Sequence, residues 1–171
     1  RRRSASGRES LLFICAYLPR KGLHGGGVRM YEVITRLAQT YDVSLLSFID
    51  SPSEMPYAEP LRKCCMRVEL ALRQPRFSLR NFLKNRYIFN DFYSAAFEDR
   101  LLELLGEEDY DIVQFEYSQM AQYAIRSNRL RSVLTIHELN FLKEKESFHA
   151  ADNILKTVSY THLTLPTNRE V

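Results

Sequence analysis

The chain has 171 residues, 45% of them hydrophobic and 26% charged; this is enough length and apolar content for one globular core and excludes a chain disordered by composition. The formal net charge of +3 is carried by the first ten residues, where Arg1, Arg2, Arg3 and Arg8 outnumber Glu9, and the neutral remainder speaks against a nucleic-acid binder with a general basic face. No apolar run reaches the length of a membrane span, and LLFICAYL has no small-residue cleavage site behind it, so a secretory signal is not read here.

Leu11–Tyr17 is a continuous apolar run of strand length, the pattern of a strand covered on both faces. The loop LPRKGLHGGG follows. Val28–Thr40 reads as a helix, with Val28, Tyr31, Ile34, Leu37 and Ala38 at spacings of three and four. Asp42–Ile49 is a second strand, which makes a βαβ unit with parallel strands. The prolines of SPSEMPYAEP mark a loop. A short helix is expected within Leu61–Met66, then a third strand at Arg67–Leu72. Ser94–Gly106 reads as a helix stopped by Gly106. Asp111–Phe115 is a fourth strand, Gln119–Arg126 a short helix, Ser132–Ile136 a fifth strand and Asn140–Leu155 a last helix. This alternation predicts an α/β fold with a Rossmann-like doubly wound parallel sheet. Residues 1–10 are expected to be a non-native or disordered leader. The Thr-rich end, 156–171, is expected to be a non-native tail, which leaves 11–155 as the domain.

Three cysteines, Cys15, Cys64 and Cys65, make a poor disulfide framework and show no zinc spacing. A reducing, cytoplasmic setting is the expectation. No metal site is expected.

The glycine run is the most informative motif. Gly25, Gly26 and Gly27 lie between the first strand and the first helix, at the C-terminal ends of the strands where open parallel sheets bind ligands. Glycines leave backbone N–H groups uncovered and admit positive φ. The helix dipole favours an anion at the same point, and Arg29 adds a charged donor. A P-loop reading fails because Val28 and Arg29 follow Gly27 where Lys and Ser or Thr are required. A dinucleotide fingerprint lacks its third glycine, since Met30 stands there, although Asp50 sits where a ribose-binding acid would. A flexible turn without a ligand is the plain alternative.

The segments YLPRKGLHGGGVRMYEVITRLAQTYDVSLLSF, DIVQFEYSQMAQYA and VLTIHEL, in that order, resemble glycosyltransferase family 4 enzymes of the GT-B fold. The resemblance covers about residues 11–155 and implies the N-terminal, acceptor-side half of such an enzyme. It implies a retaining transferase, of hexosyltransferase type, that uses a nucleotide sugar as co-substrate with no cofactor and no metal. Bacterial polysaccharide or glycolipid synthesis is the implied setting. By position, Gly25, Gly26, Gly27 and Arg29 would face the donor diphosphate, and His137 would sit near the transferred sugar as the catalytic candidate. Glu116, Tyr117 and Glu138 would line the acceptor cleft for a glycan or lipid-linked acceptor. Most of the donor would be held by a C-terminal domain that these residues do not contain, so the fragment alone is expected to be inactive. Read without the resemblance, His137 is a hydrogen-bonded histidine at a strand end, and Glu116 is a solvated acid pairing with Arg126 or Lys143.

Residues 73–93 interleave Arg73, Arg76, Arg80, Lys84 and Arg86 with Phe77, Phe82, Tyr87, Phe89, Phe92 and Tyr93. Arg76, Arg80, Lys84 and Arg86 are candidates to face an anionic membrane surface, peripheral to the inner membrane. A core-packed segment with a basic edge is the bland reading. Two further functions stay open beside the transferase: a nucleotide-cofactor domain of an oxidoreductase, and a non-catalytic domain binding a membrane or partner. Nucleic acid is not an expected partner.

Overall fold

The first apolar run forms strand β1 (Ser10–Cys15), and DVSLLSFI forms β2 (Asp42–Ile49). Every residue of both strands is buried, which is why neither shows the alternation of a half-exposed strand. The computed structural model describes residues 7–22, 25–73, 92–127 and 131–136, all inside one compact unit, Arg1–His137. Strands β3 (Arg67–Leu72), β4 (Ile112–Glu116) and β5 (Arg131–Thr135) complete a five-stranded sheet in the order β3-β2-β1-β4-β5. All four pairings are parallel. The chain winds outward from β1 to β3, then returns to start again at β4. The winding therefore reverses between β1 and β4, and the C-terminal ends of those strands bound the crevice where such sheets take ligands.

Helices cover both faces, which makes the sheet doubly wound. Leu11, Phe13 and Cys15 of β1 pack with Met30 and Ile34 of helix α1 (Gly25–Leu37) and Leu61 of helix α2 (Glu59–Arg62). Leu12 and Ile14 point the other way, onto Phe97, Leu101 and Leu104 of helix α3 (Ala95–Glu107). Phe48 and Phe97 stack there with ring centroids 4.0 Å apart. Ser94 caps α3, accepting from the Phe97 N–H at 3.3 Å.

Several sequence expectations shift; the short helix expected at Leu61–Met66, for example, lies at Glu59–Arg62. The helix expected from Val28 begins at Gly25 and ends at Leu37, and its buried stripe is Gly27, Met30 and Ile34. The glycines carry no side chain to mark the stripe, so the apolar period pointed one turn too late. Gly106 does not stop α3, which runs on to Glu107 and ends as Glu108 turns extended (φ −126°, ψ 148°). The proline-rich stretch expected as a loop is a 3-10 helix, Pro52–Ala58, capped by the Ser51 hydroxyl. Proline's fixed φ suits short helical turns as well as loops. Gln119–Arg126 lies within a longer 3-10 helix, Ser118–Ser127.

The β3 edge carries charge. Arg67 donates to Glu69 (2.8 Å) and Glu107 (2.6 Å), and Arg100 donates to Glu69 (2.8 Å) and Glu103 (2.7 Å). This ties β3 to α3 and blunts the edge against pairing with other chains. Burial pushes the Glu69 carboxyl up, but the bonds from Arg100 and Arg67 outweigh it and hold it below its ordinary 4.5. A carboxyl lowered by folding stabilises the fold above its unfolded value, and that contribution disappears as pH falls through the lowered folded value. Glu69→Gln should therefore lower Tm by about 3 °C near pH 7, with the difference shrinking below about pH 4. Thermal melts from pH 3 to 7 test this; an undiminished difference at pH 3 would refute it.

No helix among the described residues is long and apolar enough to cross a membrane.

Candidate functional site

Gly25, Gly26 and Gly27 form the first turn of α1 rather than a loop before it. The positive φ expected of the run falls at Gly22 instead (φ 79°). The correction brings the run closer to the chemistry of an anion site. The first N–H groups of a helix have no partner within it, and here Gly25 and Gly26 open the helix. A Cβ built on Gly25 would meet nothing within 4 Å, so the approach to the first turn is open on that side. Gly26 is half-buried and Gly27 buried.

Arg29 is the fifth residue of α1, just past its first turn. Its side chain is 48% exposed, and its Nη1 donates to Glu116 Oε2 at 3.3 Å. Glu116 is fully buried, so the solvated acid of the plain reading is not what folds. Among the described residues it pairs with Arg29; Lys143 and the side chain of Arg126 lie outside them. Glu116 ends β4 beside Cys15 of β1, on the α1 face of the sheet. Its other oxygen, Oε1, accepts from Gln114 Nε2 at 2.5 Å, and the same amide donates to Thr135 Oγ1 at 3.2 Å. A polar chain thus runs across the strand ends from β5 through β4 to α1. Burial first, then the Glu116 charge, pushes the Cys15 thiol well above its ordinary value, so Cys15 is an inert core residue.

Tyr117 follows Glu116 with φ 78°, a left-handed conformation that costs a bulky residue about 1 kcal/mol or more. Its N–H donates to the Thr135 carbonyl at 3.0 Å, and its carbonyl accepts from the Met120 N–H at 3.0 Å. Its ring meets Tyr17 edge-on, with centroids 5.5 Å apart. Tyr17 and Tyr117 therefore span the ends of β1 and β4, where the winding reverses. Of the acceptor candidates, Glu116 is buried and bonded to Arg29, and Tyr117, just past the end of β4, is partly buried against both core clusters.

A second feature escaped the sequence reading. Arg73 was grouped with the basic aromatic segment, yet it is only 19% exposed and lies among the rings of Tyr17, Phe48 and Phe92, at 5.4, 5.1 and 4.7 Å from their centroids. Its Nε donates to Asp50 at 2.6 Å and its Nη2 to the Ala16 carbonyl at 2.8 Å. Phe92 and Tyr93, from the far end of that segment, also pack on the core. Tyr93 donates to Glu98 at 2.8 Å, and Tyr123 donates to the Phe92 carbonyl at 2.8 Å. The signal was Arg73's place immediately after a strand, where a long cation meets whatever ends the neighbouring strands. A cleft of about 180 Å³ opens beside Arg73, lined with Tyr17, Arg20 and Glu54 among others. Asp50, the acid that favoured a dinucleotide reading, is engaged by Arg73 at the edge of this cleft.

His137 and Glu138 lie outside the described residues, as do Arg76, Arg80, Lys84 and Arg86. Among the described residues no group of three or more His, Cys, Asp or Glu is placed to hold a metal ion.

No family model and no curated protein matches the chain. Among solved structures, the C-terminal domain of a hydrogenase from Pyrococcus furiosus is similar, with a TM-score of 0.51 and 21% sequence identity over 75% of this chain and 91% of that domain. At that identity the likeness is one of fold, and it supports the Rossmann-like assignment.

Proposed function

We propose that this chain is the acceptor-side half of a nucleotide-sugar-dependent retaining glycosyltransferase, with the donor's diphosphate set against the start of α1. The observation that carries the reading is the meeting of a glycine first turn and the half-exposed Arg29 at the point where the sheet's winding reverses. The N–H groups at a helix start, open here on the side of Gly25, and a guanidinium are the kinds of donor a diphosphate leaving group requires. The three sequence segments that resemble family 4 glycosyltransferases add the sugar to that anion. On this reading Tyr117 belongs to the acceptor side, His137 stands near the transferred sugar, and a second domain holds most of the donor. No metal is needed, because the positive groups at the crevice stabilise the leaving diphosphate. Asp50, already bonded to Arg73, weakens the competing dinucleotide reading.

Titration calorimetry with UDP, GDP, ADP and NAD tests the proposal. A nucleoside diphosphate should bind this half weakly, in the range of about 0.1 to 1 mM that one charged anchor and a helix start can supply. Binding of NAD alone, lost on Asp50→Ala, would hand the site to the oxidoreductase reading. Anionic vesicle binding with no nucleotide bound, lost on Arg80→Glu with Arg86→Glu, would favour a non-catalytic membrane domain.

Gly25→Ala separates site from scaffold. The added methyl meets nothing in the fold, and alanine is the better helix former by up to about 1 kcal/mol. Tm should stay level or rise, while diphosphate affinity should fall about threefold or more because the methyl would fill the open side by which an anion reaches the helix start. Unchanged affinity would remove Gly25 from the site.

A further inference from the structure

The Arg29–Glu116 contact raises a physical question. A buried ion pair seldom stabilises a fold more than a well-packed apolar pair of the same volume. Glu116 is nonetheless fully buried, and its two oxygens are held from different directions. Arg29 holds Oε2, and Gln114, itself bonded to Thr135, holds Oε1. A carboxylate fixed at both oxygens cannot rotate, so it defines one place for the guanidinium that bonds to it. Arg29 brings three or four side-chain torsions to that place, and ordering a long side chain costs up to about 2 kcal/mol of rotamer freedom. If that cost is met in the ligand-free fold, it need not be met again on binding.

We infer that Glu116, steadied by Gln114 and Thr135, is the positioning residue that presets Arg29 for a phosphoryl oxyanion at the strand crossover. The inference rests on the diphosphate reading above and adds to it the residue that organises the site. Glu116 touches no ligand in this scheme and acts only through Arg29.

The sign of one mutation decides between positioning and simple electrostatics. Glu116→Gln keeps the volume and removes a negative charge close to the anion. On charge alone, anion binding should tighten. If Glu116 positions Arg29, binding should weaken, by about tenfold, the cost of losing one well-placed charged hydrogen bond. Gln114→Leu changes no charge and frees one carboxylate oxygen, and it should weaken binding in the same direction by a smaller factor. Inorganic pyrophosphate, titrated calorimetrically into the whole chain, is the test ligand. NMR of the Arg29 guanidinium gives a ligand-free readout: slowed rotation in the unmodified chain, faster rotation in both variants, with cooperative melts retained. Pyrophosphate binding that is unchanged or tighter in Glu116→Gln overturns this inference and leaves the diphosphate reading standing. Failure of the unmodified chain to bind pyrophosphate overturns both.

Discussion

Arg29→Ala is expected to lower nucleoside-diphosphate affinity by about thirtyfold and, in the same protein, to lower stability by about 2 kcal/mol. The two losses have different origins. The first removes the charged donor at the crevice. The second leaves the Glu116 carboxylate buried with its charged partner gone, and its size is kept moderate because Arg29 is itself half-exposed. Adding Glu116→Gln separates them. The double variant should recover most of the stability, since no buried charge remains, and recover none of the affinity. Chemical denaturation and calorimetry on the four proteins of this cycle are the measurements. Recovery of binding in the double variant would mean that Arg29 supports the fold and does not contact the ligand.

Phe97→Ala should cost about 3–5 kcal/mol, a larger stability loss than Arg29→Ala. Phe97 is fully buried, stacks on Phe48 and lies 4.9 Å from the Tyr123 ring. Its removal empties the centre of the α3 face. Tyr123 holds the backbone on both sides of Tyr93, accepting from the Ser94 N–H and donating to the Phe92 carbonyl. The cavity should therefore loosen the start of α3 along with the core. Hydrogen exchange should show the amides of Phe97 and Glu98 losing protection along with the global loss in a urea melt. A loss below about 1.5 kcal/mol would mean the site collapses and refills.

The sheet was legible because its inner strands are buried on both faces. LLFIC and DVSLLSFI have no polar alternation to confuse the reading, and their parallel pairing follows from the helix between them. Helix boundaries were less legible where glycine was concerned. Gly25–Gly27 looked like loop because glycine is a poor helix interior residue, yet a first turn has few internal hydrogen bonds to lose. Gly106 looked like a stop, and the helix passed through it to end where Glu108 turns extended, because a glycine permits a left-handed stop without imposing one. The contacts of the site were not legible at all. Arg29 and Glu116 are 87 residues apart, and a single sequence holds no signal that a particular cation will reach a particular acid. Arg73 and Asp50 illustrate the same limit from the other side: Arg73 was counted in the basic aromatic segment, Asp50 was weighed as a ribose-binding acid, and the fold gave them to one another.

The reversal of winding that creates the crevice also sets the order in which the protein can be made. β1 takes β2 as one neighbour about thirty residues later in the chain, but its other neighbour is β4, paired at a separation of 101 residues, Leu11 with Ile112. At the N-terminal end the two are clasped by Ser10 and Asp111, each bonding the other's backbone N–H. Contacts this distant close large loops and slow folding. Once β1, β2 and β3 have been synthesised, the β1 edge therefore still lacks its β4 partner, and it is apolar from Leu11 to Cys15. That edge stays available to other chains until Glu116 has emerged from the exit tunnel. Aggregation during synthesis, and rescue by chaperones that bind extended apolar segments, should consequently depend on how quickly residues 73–116 are translated.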